Sequence, residues 1–340
     1  MADVKCDQFM VKRPTVLVTG GTGFIGGRLA VALQERGYGV RVHHRPGDDT
    51  RLIDGRNIER IEGDICDPDS LMTAAKGCTG VFHTAGNVSF RRRDKSVQHR
   101  VNVDGTRTVL ETCRRARVRR LVHTSTVNAL GIPSPRGSVG NEETTFDFDS
   151  CRFGYALTKK LAEDIALGAN RRELDVVVVN PGTVFGPGDI NRNAGSYILA
   201  LARMPVLVCP TGGTNCVHID NVVEGHIAAY ERGKPGERYI LGGENLTYRQ
   251  VFSTIADVLG RRRPVLALPT GPGILAAATI ELISDLSGID TRLSAEAARA
   301  GGRKFFFSSE KARRELGIEP IPFRRAVEEA VEWYRREGFL

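Results

Sequence analysis

The sequence predicts an α/β fold, in which a doubly wound parallel sheet is followed by a smaller, mostly helical C-terminal lobe. Short β-branched runs alternate with helix-like stretches as far as Pro181, and a glycine-rich loop follows the first of these runs. Beyond Pro181 the alternation stops, and turns rich in glycine and proline, GPGDINRNAG and CPTGGTN, separate shorter elements. These observations divide the chain into a regular first part and a less regular second part.

The first part has the spacing of consecutive strand–helix–strand units, which place neighbouring strands in parallel. The predicted strands are Thr15–Val18, Val40–His44, Ile58–Glu62, Gly80–Thr84, Arg120–Thr124 and Asp175–Asn180. The helices predicted between them are Ile25–Arg36, Leu71–Lys76, Val101–Arg115 and Tyr155–Leu167. Alternation sustained over this length predicts a sheet with helices on both faces.

The second part is predicted to add two elements to the sheet domain, a helix near Asp220–Arg232 and a strand near Tyr239–Leu241. Two or three further helices are expected after residue 244, including Leu246–Leu259 and Phe323–Glu337. The predicted sheet domain therefore spans 11–182 plus about 218–242. The remaining segments, 183–217 and 243–340, form the predicted substrate-binding lobe at the carboxyl edge of the sheet.

Composition and charge exclude several classes of protein. Of the 340 residues 41% are hydrophobic, enough for a sizeable core, but no apolar stretch reaches the roughly 20 residues of a membrane span. The net charge of +8 includes arginine runs without a nucleic-acid-binding motif, so we expect solvated surfaces and no nucleic-acid partner. Seven cysteines without a CxxC pair, and no apolar leader, predict reduced thiols, no metal site and a cytoplasmic location.

The glycine-rich loop TGGTGFIG, residues 19–26, follows the first strand and opens the first helix. Glycine lets the backbone turn tightly and approach a pyrophosphate, whose charge is favourable at a helix N-terminus. The loop therefore predicts a Rossmann domain that binds a dinucleotide. The residues predicted to contact its phosphates are Gly20, Gly23, Phe24, Ile25 and Gly26.

The end of the second strand indicates which dinucleotide is bound. NAD-binding domains usually place an acidic residue there to hold the ribose hydroxyls. This chain has His44 and Arg45 instead, and no carboxylate before Asp48. Because a guanidinium can hold a 2′-phosphate with two hydrogen bonds, we predict NADP(H) rather than NAD(H), with His44 and Arg45 at the phosphate. The alternative is that Arg45 is a solvent-facing loop residue.

Further cofactor contacts are predicted at the ends of the third and fourth strands. Asp64, followed by Ile65, could accept a hydrogen bond from the adenine amino group. Small residues after the fourth strand let the backbone pass under the cofactor, and these are Thr84, Ala85 and Gly86. Asn102 has two open interpretations, a helix cap or a residue near the active site.

Tyr155 and Lys159 are the predicted catalytic pair. Their spacing of four residues in YALTK puts both on one face of a helix. A free tyrosine titrates near pH ~10, and a nearby ammonium is expected to lower its pKa toward neutrality. Tyr155 can then protonate the oxygen of a carbonyl as hydride arrives, or deprotonate an alcohol in the reverse direction.

The predicted strand Arg120–Thr124 leads directly into Ser125 and Thr126, beside the expected cofactor contact of Thr124. A hydroxyl at this strand end could donate a hydrogen bond to the same carbonyl oxygen and so stabilise developing negative charge. We favour Thr126 for this role, and Ser125 stays open as the alternative.

These segments together resemble the extended short-chain dehydrogenases/reductases, the NAD-dependent epimerase/dehydratase family. The motifs that follow the family's order over nearly the whole chain are TGGTGFIG, GDI, HTAG, HTSTVNALG, YALTK, NPGTVFGPGD and VHIDNV. The chain is most similar to dihydroflavonol 4-reductase-like proteins and to hopanoid-associated sugar epimerases, the latter through GERYILGGENLTYRQ.

The resemblance implies a catalytic triad of Thr126, Tyr155 and Lys159. It also implies that four residues after the sixth strand flank the nicotinamide, namely Pro181, Gly182, Thr183 and Val184. Threonine stands at the position where the family commonly has serine. A secondary hydroxyl still donates a hydrogen bond, so we expect the chemistry to be retained.

Three functions remain open at this point. We favour an NADP(H)-dependent oxidoreductase that reduces a ketone or aldehyde to an alcohol, or performs the reverse. A nucleotide-sugar epimerase or dehydratase is the first alternative, but the segment 212–220 lacks the arginine that such members usually carry there, and a buried diphosphate without a partner is costly. A non-catalytic dinucleotide-binding sensor is the second, although such relatives tend to lack the Tyr/Lys pair.

The substrate is predicted to be a small carbonyl or alcohol compound, and a homodimer is left open. The residues predicted to line its pocket are Asn87, Ser89 and Phe90 after the fourth strand and Tyr197 in the second lobe. Core packing explains Tyr197 equally well. His218 is expected to be a hydrogen-bonded core histidine rather than a site residue.

Overall fold

The computed structural model describes residues 14–135, 138–147, 154–204, 207–261, 265–287 and 294–340. Residues 11–13, where the predicted sheet domain begins, lie outside the described residues. The strands, in chain order, are β1 (Thr15–Thr19), β2 (Gly39–His44), β3 (Glu59–Glu62), β4 (Gly80–His83), β5 (Arg120–Thr124), β6 (Asp175–Pro181), β7 (Thr183–Phe185), β8 (Leu207–Pro210), β9 (Gly213–His218), β10 (Arg238–Leu241), β11 (Glu244–Thr247), β12 (Val265–Leu268) and β13 (Lys304–Phe305).

Helices connect these strands on both sides of the main sheet. They are α1 (Phe24–Glu35), α2 (Pro68–Ala75), α3 (Lys95–Gln98), α4 (Gly105–Arg115), α5 (Gly154–Gly168), α6 (Gly195–Arg203), α7 (Ile219–Arg232), α8 (Tyr248–Val258), α9 (Thr270–Ser287), α10 (Ala295–Gly301), α11 (Glu310–Leu316) and α12 (Phe323–Arg336). The predicted α/β fold with a helical C-terminal part is therefore confirmed.

The main sheet has seven parallel strands in the spatial order β3-β2-β1-β4-β5-β6-β10. The strand order reverses between β1 and β4, which opens a crevice at the carboxyl ends of the strands where such sheets bind ligands. A smaller sheet of β11, β9 and β13, with β7 paired to β9, and a two-stranded sheet of β12 and β8 complete the fold.

Both faces of the main sheet are buried, which explains why its strands are apolar throughout. In β1, Val16 and Val18 pack in a cluster with residues of α1 and α7. Leu17, which points to the opposite face, packs with residues of α2, α4 and α5. The four valines of β6 alternate between the same two clusters.

Two predicted elements differ from the structure. The helix predicted from Val101 starts as a π-helical segment, His99–Asp104, and becomes α-helical only at Gly105. Five helices, α8 to α12, occupy the described part of the chain after residue 244, where two or three were predicted. Short helices such as α10 and α11 span too few turns to give a clear hydrophobic period.

Within the described residues, no helix combines the length and hydropathy that crossing a bilayer requires. Five cysteines lie in the described ranges and are free thiols: Cys66, Cys78, Cys113, Cys209 and Cys216.

Candidate active site

The glycine loop lies in the crevice between β1 and β4. Gly20 has φ +67°, and a Cβ there would lie 2.7 Å from Ala85 Cα. A Cβ on Gly26 would lie 2.3 Å from the carbonyl oxygen of Gly20, so only glycine lets the loop close against the start of α1. The loop and the end of β4 are therefore in direct contact.

The N-terminus of α1 faces this loop with no side chain bonded to its first N–H groups. Gly23 is the N-cap, and no acidic residue occurs in the first turn. Phe24 is buried in the core and Ile25 packs against it, so these two residues can contribute only backbone N–H groups to a ligand. Exposed N–H groups and a positive helix end fit a pyrophosphate.

Arg45 lies after β2 with a side chain that is 73% exposed, and its guanidinium forms an ion pair of 3.0 Å with Asp48. The Asp48 carboxylate also accepts hydrogen bonds from the Arg45 N–H and from the Thr22 hydroxyl of the glycine loop. A carboxylate thus folds back to the end of β2, although it stands three positions after Arg45 in the sequence. His44 is buried, and its Nδ1 lies 3.0 Å from the Arg45 carbonyl oxygen.

The predicted adenine contacts lie after β3. Asp64 accepts a hydrogen bond of 2.8 Å from the Cys66 N–H, which closes its own turn, and one of 3.2 Å from Arg100. Its side chain is nevertheless 45% exposed, which leaves acceptor capacity for a ligand. Ile65 is buried against Gly105, so its side chain belongs to the core.

The residues after β4 are tied to β1 and to α5. The hydroxyl of Thr84 donates to the Thr19 carbonyl oxygen at 2.7 Å. Asn102 accepts a hydrogen bond from the N–H of Asn87 and donates to its carbonyl oxygen and to the Thr158 hydroxyl. Of the two interpretations left open for Asn102, the structure excludes the helix cap, because the residue lies inside the π-helical segment and braces the loop after Gly86.

Thr126, rather than Ser125, reaches the predicted acid. The Thr126 side chain lies close enough to the phenol of Tyr155 to lower its pKa, while the buried hydroxyl of Ser125 has no hydrogen-bond partner among the described residues. Thr126 has an extended backbone, φ −162° and ψ 154°, and caps the short 3-10 turn Val127–Leu130. Its hydroxyl accepts a hydrogen bond of 3.3 Å from the Asn128 N–H of this turn.

Lys159 lies one turn after Tyr155, as its spacing predicts, and is 6% exposed. Its Nζ donates to the Thr124 carbonyl oxygen at 2.6 Å. Burial lowers the pKa of Lys159 to about 8, and the nearby Glu163 carboxylate opposes this shift.

The prediction that the lysine lowers the pKa of Tyr155 is wrong for this structure. Burial raises the pKa of Tyr155 to about 12, and the nearby Thr126 side chain opposes the shift only in part. The phenol lies beside the ring of Phe90, 5.8 Å away between centroids. The ammonium of Lys159 is instead committed to Thr124. A protonated phenol at neutral pH suits the donation of a proton to a carbonyl oxygen.

Glu163 continues the same face of α5 and was missed in the sequence analysis. Its carboxylate is fully buried, lies 2.9 Å from Arg238 and accepts a hydrogen bond of 2.7 Å from Asn180. Asn180 also donates to the Thr126 carbonyl oxygen at 3.1 Å. The repeated spacing of four from Tyr155 to Lys159 to Glu163 is the signal that could have found it.

The four residues expected to flank the nicotinamide lie at the carboxyl end of β6, beside the end of β5. Pro181 ends β6, and the Gly182 N–H donates to the Leu241 carbonyl oxygen. Thr183 and Val184 belong to β7, where the Thr183 hydroxyl lies 2.7 Å from that of Thr214. This segment joins the main sheet to the C-terminal lobe.

The predicted substrate residues occupy different surroundings. Phe90 lies against Tyr155, whereas the Ser89 hydroxyl donates to Asp94 at 2.6 Å and so holds its own loop. Tyr197 packs with Tyr248 and Phe252 in the aromatic cluster of the C-terminal lobe. Core packing therefore accounts for Tyr197.

His218 is buried and hydrogen-bonded, as expected of a core histidine. Its Nδ1 accepts from the Asp220 N–H and caps α7, and its Nε2 lies 3.1 Å from Glu329. These three residues form a cluster of metal-ligand types. Capping uses one histidine nitrogen, and Arg28 and Arg325 pair with the two carboxylates, so the arrangement is explained by structure alone.

A family model described as the NAD dependent epimerase/dehydratase family matches residues 16–242. Sterol demethylase protein B of Methylococcus capsulatus is 34% identical over 333 residues, which cover 96% of this chain and 100% of that protein. A protein of Synechocystis provisionally named dihydroflavonol 4-reductase is 31% identical over 328 residues, 95% of each chain. The crystal structure of gox2253 is similar with a TM-score of 0.84 at 36% identity, and covers 96% of this chain and 100% of its own.

The matched segment contains the glycine loop, Thr126, Tyr155 and Lys159, and the relatives extend the similarity over nearly the whole chain. The chain therefore belongs to the NAD dependent epimerase/dehydratase family, whose extended short-chain dehydrogenases/reductases its motifs resemble.

Proposed function

We propose that this protein is an NADP(H)-dependent oxidoreductase that interconverts a ketone or aldehyde and the corresponding alcohol. The observation that carries the proposal is the approach of the Thr126 side chain to the Tyr155 phenol at the carboxyl edge of the sheet, with Lys159 one turn further along α5. In this proposal the three side chains serve a dinucleotide whose pyrophosphate binds at the glycine loop.

A bound nicotinamide dinucleotide would supply or accept the hydride. In the reducing direction Thr126 donates a hydrogen bond to the carbonyl oxygen, and Tyr155 transfers its proton to the same oxygen as the alkoxide forms. Lys159 holds the Thr124 carbonyl oxygen and presents its ammonium to the ribose.

The proposed preference for NADP(H) rests on Arg45, whose exposed guanidinium suits a 2′-phosphate. A phosphate at this position competes with Asp48 for the guanidinium. The preference therefore depends on how the Arg45–Asp48 pair opens.

We propose an apolar ketone as the substrate class. Two curated relatives are named for a sterol demethylase and for a dihydroflavonol reductase, whose names indicate ring-based, largely apolar compounds. Phe90, which lies against Tyr155, offers an apolar contact to such a ring system.

The epimerase or dehydratase alternative is supported by the family's description. A nucleotide diphosphate needs cations, and two arginines of the second part of the chain that could substitute for the missing one form other contacts. Arg192 lies over the ring of Phe339 at 5.6 Å, and Arg232 donates to the Leu316 carbonyl oxygen. These contacts favour the reductase.

The test is a turnover assay of the purified protein with NADPH and NADH, followed at the absorbance of the reduced cofactor. The panel contains sterol-like and aromatic ketones, aldehydes and UDP-sugars. We expect oxidation of NADPH with an apolar ketone. Conversion of a UDP-sugar with tightly held NAD would establish the epimerase, and cofactor binding without turnover of any compound would establish the sensor.

A further inference from the structure

Helix α9 exposes its large aliphatic side chains, whereas an ordinary surface helix buries them. Its long aliphatic side chains are exposed: Leu275 by 72%, Leu282 by 60%, Ile283 by 57% and Ile280 by 40%. Spacings of three, seven and eight residues put these four on one side of the helix, here called the α9 face. Contiguous exposed aliphatic groups of this kind mark an interaction site.

The opposite side of α9 holds polar groups toward the protein. Ser284 is 6% exposed, and Glu281 accepts a hydrogen bond of 3.1 Å from the Ala295 N–H at the start of α10. The four exposed aliphatic side chains therefore do not continue an apolar stripe that packs into the core. Strand β12, which leads into α9, extends the apolar surface with Leu266 and Leu268, exposed by 56% and 39%.

Two basic residues lie on elements that adjoin α9 in the sequence or in the fold. Arg299 on α10 is exposed, and Arg261 precedes β12. The nearby described carboxylates are turned inward, Glu281 to Ala295 and Glu296 to the Gly154 N–H. From residue 261 to residue 304 the sequence has seven basic and four acidic residues.

We propose that the α9 face docks onto an anionic lipid bilayer. Aliphatic side chains enter the acyl boundary, and the flanking arginines meet phosphate groups, as in helices that lie in the plane of the interface. A second copy of the chain fits less well, because a two-fold interface would bring the same arginines of both copies together.

Helix α9 packs against α10, which begins next to a residue that reaches the surroundings of Tyr155. The Ser294 hydroxyl, just before α10, donates to the Phe90 carbonyl oxygen at 2.7 Å, and the Phe90 ring lies against Tyr155. Docking would therefore bring the pocket close to lipid, which suits an apolar ketone dissolved in the bilayer. This consequence rests on the proposed function, whereas docking itself does not.

The experiment is flotation of the full chain with vesicles of phosphatidylcholine alone and with vesicles of equal parts phosphatidylcholine and phosphatidylglycerol, without substrate or cofactor. We expect flotation with the phosphatidylglycerol vesicles that weakens as salt is raised. The variant Leu275→Ser/Ile283→Ser should lower the ratio of bound to free protein by about tenfold or more. Arg261→Gln/Arg299→Gln should weaken binding to the anionic vesicles only.

The matched control is Val97→Ser/Val139→Ser, which removes two exposed aliphatic side chains on other elements and should bind like the wild type. Leu275→Ser alone, at the most exposed position, serves if the double variant is poorly folded by circular dichroism. Absence of flotation by the wild type, or equal binding by the α9 variants, would overturn the proposal. So would a wild-type dimer that the α9 substitutions convert to a monomer.

Discussion

Glu163 and Arg238, seventy-five positions apart, form an ion pair of 2.9 Å in which the carboxylate is fully buried and the guanidinium side chain is 24% exposed. The same carboxylate accepts a hydrogen bond from Asn180, which in turn holds the carbonyl oxygen of Thr126. The pair therefore supports both the position of the strand-end hydroxyl and the charge of Lys159, one turn away on α5.

Replacing Glu163 by Gln should lower the free energy of unfolding by about 1–3 kcal/mol, because Arg238 keeps its charge without its partner. The same change should lower the pKa of Lys159 further below its normal value, since Glu163 raises it. Urea unfolding measures the first effect and the pH dependence of kcat/KM the second. Arg238→Gln and the double variant complete a cycle, and additive effects would contradict a direct interaction.

Tyr155→Phe should reduce kcat by about 10²–10⁴-fold, the usual contribution of a positioned acid, because no other described hydroxyl is expected to donate the proton. The cofactor dissociation constant should stay within a few-fold, since the phenyl ring preserves the contact with Phe90. Cofactor fluorescence titration and steady-state kinetics measure the two quantities. Substantial activity in this variant would remove Tyr155 from the mechanism.

Substitutions of Thr126 and of Ser125 should have clearly different effects on kcat. Thr126→Val removes the hydroxyl next to Tyr155 and should lower kcat by about 10²–10³-fold, as loss of a donor to a developing oxyanion does. Ser125→Ala should remain near the wild-type rate, because its hydroxyl forms no hydrogen bond with a described group. The reverse order of effects would assign the donor to Ser125.

The rate of carbonyl reduction should fall as pH rises through about 8, where Lys159 loses its proton. The sign follows from burial, which lowers the pKa of this lysine, so that its ammonium is present below that pH and lost above it. Tyr155, with a pKa of about 12, stays protonated over this pH interval and causes no further change in the pH–rate profile. The pH–rate profile of Lys159→Arg should not show this decrease, because its guanidinium stays charged. A wild-type profile flat to about pH 10.4, the value of an ordinary lysine, would contradict the prediction.

Lys159→Met should weaken cofactor binding and turnover together, because the ammonium is proposed to contact the ribose and to hold Thr124. The dissociation constant of NADPH and kcat are measured on the same preparation. A variant with unchanged cofactor affinity would confine the role of Lys159 to the chemical step.

The Arg45–Asp48 pair should control cofactor choice in two directions. Arg45→Asp should weaken the binding of NADPH far more than that of NADH, because a carboxylate replaces the guanidinium opposite the phosphate. Asp48→Asn should strengthen the binding of NADPH, since it frees the Arg45 guanidinium and removes a negative charge that repels the phosphate. The ratio of kcat/KM for the two cofactors reports both changes. Equal effects of Arg45→Asp on both cofactors would remove the assignment of NADP(H).

Much of the fold follows from local sequence. The alternation of β-branched runs and helical stretches predicts β1 to β6 within one or two residues, because burial on both faces demands apolar strands. The glycine loop can also be predicted from the sequence. The left-handed backbone of Gly20 and the close approach of Gly26 to the Gly20 carbonyl oxygen both favour glycine over other residues. The short helices of the C-terminal lobe were not predicted, because they carry too few turns to show a period.

The sequence by itself determined the order of the strands along the chain, the glycine turn and the spacing that aligns Tyr155 with Lys159, since each depends on neighbours within one or two turns. Tertiary structure decided which hydroxyl meets Tyr155, how Asp48 returns to Arg45 and that Glu163 finds Arg238. It also decided the direction of the Tyr155 pKa, which depends on burial and on where the lysine ammonium is bound. Contacts of these kinds join segments that only packing brings together, so their geometry is absent from local spacing.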